Sequence, residues 1–156
     1  RNLLKDQRGS AEVLSWVVII PLLMFFLMIA NTWLNLDRQK AVSAMAARDA
    51  ARVYGIELGQ RNPQAPALAQ ARAKEILVSG NLMKTTSGFI PWGTYPPRGE
   101  NGVAISLSSS TDAFVTLQCH IVNPFPNITK FIQQGTRPYH FSYTVQGRAQ
   151  IEAQTP

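Results

Sequence analysis

The residues that most constrain this chain are Val13 to Leu34, VLSWVVIIPLLMFFLMIANTWL, a run of 22 positions without a single charge. At about 1.5 Å per residue a helix of that length reaches roughly 33 Å, enough to cross a hydrocarbon layer of about 30 Å. Such a surface must be covered by something apolar. The run passes into an alanine-rich polar segment with no turn signal between them.

Three other readings of the run fit less well. A cleaved signal peptide has an apolar core of roughly 7 to 15 residues with a small-residue cleavage site close behind. Here the run is longer, and the nearest Ala-x-Ala, Ala44 to Ala46, lies ten residues past its end. The core helix of a soluble protein shows a polar stripe, and Val17 to Ala30 has none. A plain single-pass anchor satisfies the same residues as an assembling helix does. Basic residues stand on both sides, with Arg1, Lys5 and Arg8 before the run and Arg38, Lys40, Arg48 and Arg52 after it. Counting them leaves orientation open, and the short leading segment with its long trailing domain suggests an N-terminus on the cytoplasmic side.

The helix is expected to start at Gly9 and Ser10, with Ser10 as N-cap and Glu12 in the first turn, where the helix dipole favours a carboxylate. Pro21 falls inside the run and removes one rung of the hydrogen-bond ladder. Beyond Leu34, NLDRQKAVSAMAARDAARVY has no Gly or Pro before Gly55, so one helix of about 45 residues is expected. Its second half carries two stripes, Ala41, Ala44, Ala47, Ala51 and Tyr54, and Val42, Ala46, Ala50 and Val53. High helix propensity alone explains such a composition. Alternatively both faces are in close contact, one with the chain's own domain and one with another subunit, because alanine lets helices approach closely.

GIELGQRNPQAP, from Gly55, reads as a loop. A second helix is expected from about Pro66 to Ser79, with Ala65, Leu68, Ala69, Ala73, Ile76 and Leu77 on one stripe, ended by Gly80 and Asn81. Residues 84–102 hold four glycines and three prolines, which predicts an irregular connection anchored by Phe89, Trp92 and Tyr95. The period then changes to two, at Val103, Ile105 and Leu107, at Val115, Leu117, Cys119 and Ile121, and at Phe141, Tyr143, Val145, Ala149 and Ile151. Three strands with one apolar face make an antiparallel sheet, and the alanine-rich end of the long helix is its expected cover. The chain reads as α+β, a long N-terminal hydrophobic helix continuing into a small C-terminal domain. Its parts are a basic leader (1–12), the hydrophobic helix with its extension (13–54) and the α+β domain (55–156).

The chemistry-bearing residues are few. Lys and Arg number 15 against 9 Asp and Glu, a formal charge of +6, spread along the chain without a block that marks nucleic-acid contact. Cys119 is the only cysteine, which excludes an internal disulfide and a cysteine-based metal cluster. Cys119 and His120 are adjacent on a predicted strand and so point to opposite faces. His140 approaches one of them across the sheet at best, and a core thiol with two ordinary histidines is the expected arrangement. No phosphate-binding glycine loop, metal-spaced cluster or nucleophile elbow is present in the sequence, so no catalytic, cofactor-binding or metal residue is assigned. Asn127, Ile128 and Thr129 match a glycosylation sequon.

RGSAEV at the leader, VVIIP in the apolar run, AMAARDAARVYG after it, and the strand pair FVTLQCHIVNPFPNITKFI and FSYTVQGRAQIEA together resemble the TadE-like pseudopilins, within the broader type IV pilin group. The resemblance covers most of the chain. It implies a membrane-inserted bacterial subunit whose hydrophobic helices pack into an extracellular filament or a secretion machine. Pilins of the group are typically cut after a glycine and carry a glutamate fifth in the mature chain. A cut after Gly9 places Glu12 third and Leu14 fifth, and TadE-like chains usually carry glutamate where Ser15 stands. We expect the leader to be retained.

Glu12 then has two roles open to it. It pairs with Arg8 one turn earlier, or it meets a basic group of a neighbouring subunit, where an unpaired carboxylate is costly. The expected assembly residues are Glu12, Pro21, Phe26, Ala47 and Ala51, with Gly9 as the candidate processing position. The expected function is a structural, non-enzymatic filament subunit, membrane-inserted with its N-terminus cytoplasmic before assembly and extracellular afterwards. Its expected partners are other copies of itself and a pilus or secretion assembly machinery. The alternative is a membrane-anchored minor pseudopilin or assembly factor of a secretion, adhesion or DNA-transfer machine.

Overall fold

The computed structural model describes residues 3–83, 88–124 and 139–151, with side chains from residue 13 onward. The element order is α1 (Leu3–Gly59), α2 (Ala65–Ser79), β1 (Gly102–Ser109), β2 (Asp112–Val122) and β3 (His140–Gln150). Two compact units divide the chain, Arg1–Asp37 and Arg38–Pro156.

Helix α1 is longer than expected at both ends. It begins at Leu3 and runs through Gly9 and Ser10, so Ser10 is not an N-cap. It also continues through GIELG, where a loop was expected, because an interior glycine such as Gly55 costs only about 1 kcal/mol in a helix and packing offsets that, while Gly59 is the last helical residue. Pro21 lies inside α1. In the first unit Val13, Val17, Phe26, Trp33 and their neighbours are exposed, and Thr32 Oγ1 donates to Met28 O at 2.8 Å.

In the second unit the exit from α1 is built by hydrogen bonds. Gln60 N donates to Ile56 O and Asn62 N to Glu57 O, while Arg61 takes a left-handed φ of 55°. Asn62 Nδ2 donates to Glu57 Oε2, and Asn62 Oδ1 accepts from Gln64 N. That turn delivers the chain to α2 with proline in its first turn, where a missing N–H costs nothing. Helix α2 runs antiparallel to α1, with Gly80 against Val42 and Arg72 3.7 Å from Asp49. It buries Ala65, Ala69, Ala73 and Leu77, whereas Leu68, expected on the same stripe, is exposed.

The sheet is an antiparallel meander, β1-β2-β3. Its register aligns Val103, Cys119 and Tyr143 in one row, Ile105, Leu117 and Val145 in the next, then Leu107, Val115 and Gly147. The period-two pattern therefore matches the strands, except that Ile151 lies past the end of β3. The second half of α1 covers this face, as its alanine content predicted. Ser43, Ala46, Ala47, Ala50, Ala51 and Tyr54 are all buried. The cover is close enough that a Cβ on Gly147 would stand 2.0 Å from Ala47 O and one on Gly55 2.6 Å from Gln150 O. Glycine at these two positions is what lets the helix backbone lie against the last strand.

The described part of the connection into β1 is irregular, as expected, and two of its three expected anchors hold. Phe89 forms a parallel bridge with Val103 and Ile90 N donates to Val103 O, and Tyr95 stacks on His120 with ring centroids 4.3 Å apart. Trp92, expected as an anchor, is 50% exposed. The proline-rich turn from Phe125 onward and the sequon Asn127–Thr129 lie outside the described residues.

Candidate functional site

Two surfaces of α1 carry the expected assembly residues, and they differ. Phe26 is 61% exposed and makes an edge-to-face contact with Phe25 at 6.4 Å. It belongs to a helix that is long and apolar enough to cross a membrane, with its most apolar stretch entirely unburied. Pro21 stands in the same exposed stretch. Gly9 and Glu12 are in the helical backbone of α1, and the side chain of Glu12 lies outside the described residues.

Ala47 and Ala51 are in a different environment. Both are 0% exposed within their own domain. Ala46 and Ala50, from the second stripe, are equally buried, while Ala41 is exposed and Ala44 half-buried. From Ala46 to Tyr54 the buried members of the two stripes form one intramolecular face, wide enough to meet both the sheet and α2. The expectation that one stripe faces another subunit is corrected accordingly: in the single chain Ala47 and Ala51 pack the domain core.

A polar cluster lies under that face. Ser43 Oγ donates to Gln39 O at 2.8 Å, and with its one proton committed there it accepts from Tyr143 OH at 2.8 Å and from Cys119 Sγ at 3.5 Å. Burial pushes the Cys119 thiol up from its ordinary range, opposed by the hydrogen bonds to Ser43 and Tyr143. Burial also pushes the Tyr143 phenol up, the neighbouring Cys119 adding to it. The cluster ties α1 to β2 through Cys119 and to β3 through Tyr143. Nothing in the sequence marked Ser43, which reads as an ordinary helix-interior serine.

Cys119 and His120 do point to opposite faces. His120 Nδ1 is 2.7 Å from Ser142 Oγ, away from Ser43. His140 Nε2 is 3.1 Å from Glu100 O. An open cleft of about 580 Å³ is lined by Gln39, Leu82, Met83, Glu100, Asn101 and Ile121 among others. Asn101 crosses it as a structural tie, donating to Leu82 O and accepting from Val122 N. Among the described residues Glu100 is the only carboxylate that lines it. Among the described residues no group of three or more His, Cys, Asp or Glu side chains is placed to share a metal ion. Comparison with protein-family models, curated proteins and solved structures finds no match.

Proposed function

We propose that this chain is a pilin-like structural subunit, inserted in a membrane through Val13–Leu34 with its N-terminus cytoplasmic, and built into an extracellular filament by packing of those helices. One observation carries the reading. A single unbroken helix has one face of its second half buried in a domain core and its first half apolar and unburied. An apolar surface of that extent requires lipid or other apolar helices around it. A filament core supplies the second environment, and transfer between the two exchanges one apolar surrounding for another. Extraction from the bilayer needs an external motor. The likeness of the leader, the VVIIP run and the strand pair to TadE-like pseudopilins supports the same reading.

The test is negative-stain microscopy of sheared surface material with a label specific for this chain. Labelling along the whole fibre is the expected result. Labelling confined to membranes, with unlabelled fibres, would replace the filament subunit by a minor or anchoring component.

A further inference from the structure

The apolar run contains three side chains with hydrogen-bonding hydroxyl or amide groups, Ser15, Asn31 and Thr32. Thr32 is satisfied by its own helix, through Met28 O. Asn31 is exposed, and its amide makes no hydrogen bond among the described residues. An amide carries two N–H donors and one carbonyl acceptor, and within hydrocarbon each unmet group is costly.

Depth decides whether water meets that need. Trp16 and Trp33 stand near the two ends of the run, and tryptophan favours the two membrane interfaces. They are 17 residues apart, about 25 Å along the helix. Asn31 then lies about 10 Å from the midpoint, inside a hydrocarbon half-thickness of about 15 Å. Its neighbours at helical spacing, Met24, Leu27 and Leu34, are all exposed. The spacing 24, 27, 31, 34 is the three-four alternation of a helix-packing seam, in which a lone Asn fixes register.

We propose that Asn31 pairs two copies of this chain within the membrane, each amide donating to the other's side-chain carbonyl, with Met24, Leu27 and Leu34 packed beside the pair. A second copy is the favoured occupant because an amide complements itself. Copies inserted in the same sense also bring Asn31 to the same depth without further adjustment, whereas any other partner needs its own polar group at that depth. The seam ends by charge. Its next position is Arg38, exposed and without an ion pair among the described residues, so parallel copies bring like charges together there. The proposal rests on the membrane insertion described above and not on filament formation.

The experiment uses the full chain, labelled at its N-terminus with donor or acceptor fluorophore and reconstituted in phosphatidylcholine vesicles over a range of lipid dilution. Insertion is measured separately, by quenching of tryptophan emission with lipids brominated on the acyl chains. Wild-type energy transfer should persist to higher dilution than that of Asn31→Leu, by about 3- to 30-fold, the range for hydrogen bonds between membrane helices. Asn31→Gln, which keeps the amide, should restore most of it. Equal pairing by wild type and Asn31→Leu, or monomers of inserted wild type at every dilution, would overturn the proposal. Absence of tryptophan quenching would instead overturn the membrane reading, and this pairing with it.

Discussion

The two halves of α1 share a secondary structure and little else. Between Val13 and Leu34 the side chains are mostly large and apolar and all but Thr32 are exposed; between Ser43 and Tyr54 the face toward the sheet is alanine, serine and tyrosine, all buried. Helix formation is thus indifferent to the surroundings, because every backbone bond is made within the segment. Side-chain size decides the rest. Small residues bring the second half into backbone contact with β3, and bulky apolar ones leave the first half a surface that only another apolar phase can cover.

The comparison breaks most severely at Gly147. A valine there would drive its Cβ into the Ala47 carbonyl, and backbone cannot move aside as a flexible side chain does. We expect Gly147→Val to cost more than ~3 kcal/mol, the upper end of ordinary overpacking, seen as loss of near-ultraviolet circular dichroism while the first half of α1 still inserts. Ala47→Trp should act the same way, losing the folded domain along with any assembly. An Ala47→Trp chain with an intact domain would show that the close approach is not required.

Phe26→Lys makes the opposite cut. A lysine near mid-bilayer costs about 2.5 to 3.5 kcal/mol on insertion scales, so the chain should lose resistance to carbonate extraction while the domain keeps its cooperative unfolding transition. Recovery of Phe26→Lys protein in intact filaments would remove the apolar helix from any core.

A smaller effect is expected from Ser43→Ala. It removes the acceptor shared by the half-buried Tyr143 hydroxyl and the buried Cys119 thiol, a loss of about 1 to 3 kcal/mol. Urea denaturation should show a lower midpoint with an unchanged slope. Cys119→Ala in the same background should recover part of the loss, because one orphaned donor goes with it.

The smallest effect is a pH dependence confined to the second half. The folded domain raises the affinities of Cys119 and Tyr143 for their protons, so their contribution is complete below the unfolded values and declines as pH rises through them. Stability should therefore begin to fall above the ordinary thiol value of 9.0 and fall further past the ordinary phenol value of 10.0. In Cys119→Ala the decline should start only at the second. A flat stability profile from pH 8 to 11 would mean the cluster opens to water in solution.

The strands were legible because each turns one apolar face toward the core and polar or small residues away from it, which imposes a period of two. The helix ends were not, since Gly9, Ser10 and Gly55 carry stop and start signals that packing and continuity override. Trp92 read as an anchor from its size, yet the loop turns it outward, a choice no local pattern encodes. Ser43 was invisible for a related reason: its partners are Gln39 in its own helix and Cys119 and Tyr143, 76 and 100 residues away.

The sequence by itself determined that this chain has a helix able to span a membrane, an alanine-rich continuation and a three-stranded antiparallel sheet. Each of these follows from composition and period, which act over neighbouring residues. Only the tertiary structure decided which alanines are spoken for. It buries Ala46, Ala47, Ala50 and Ala51 in the chain's own core and leaves Ala41 exposed, because Gly147 and Gly55 admit the helix backbone against β3 and α2 closes the adjacent side. Such contacts are set by pairs of residues far apart in the chain, and no stretch of sequence carries both members.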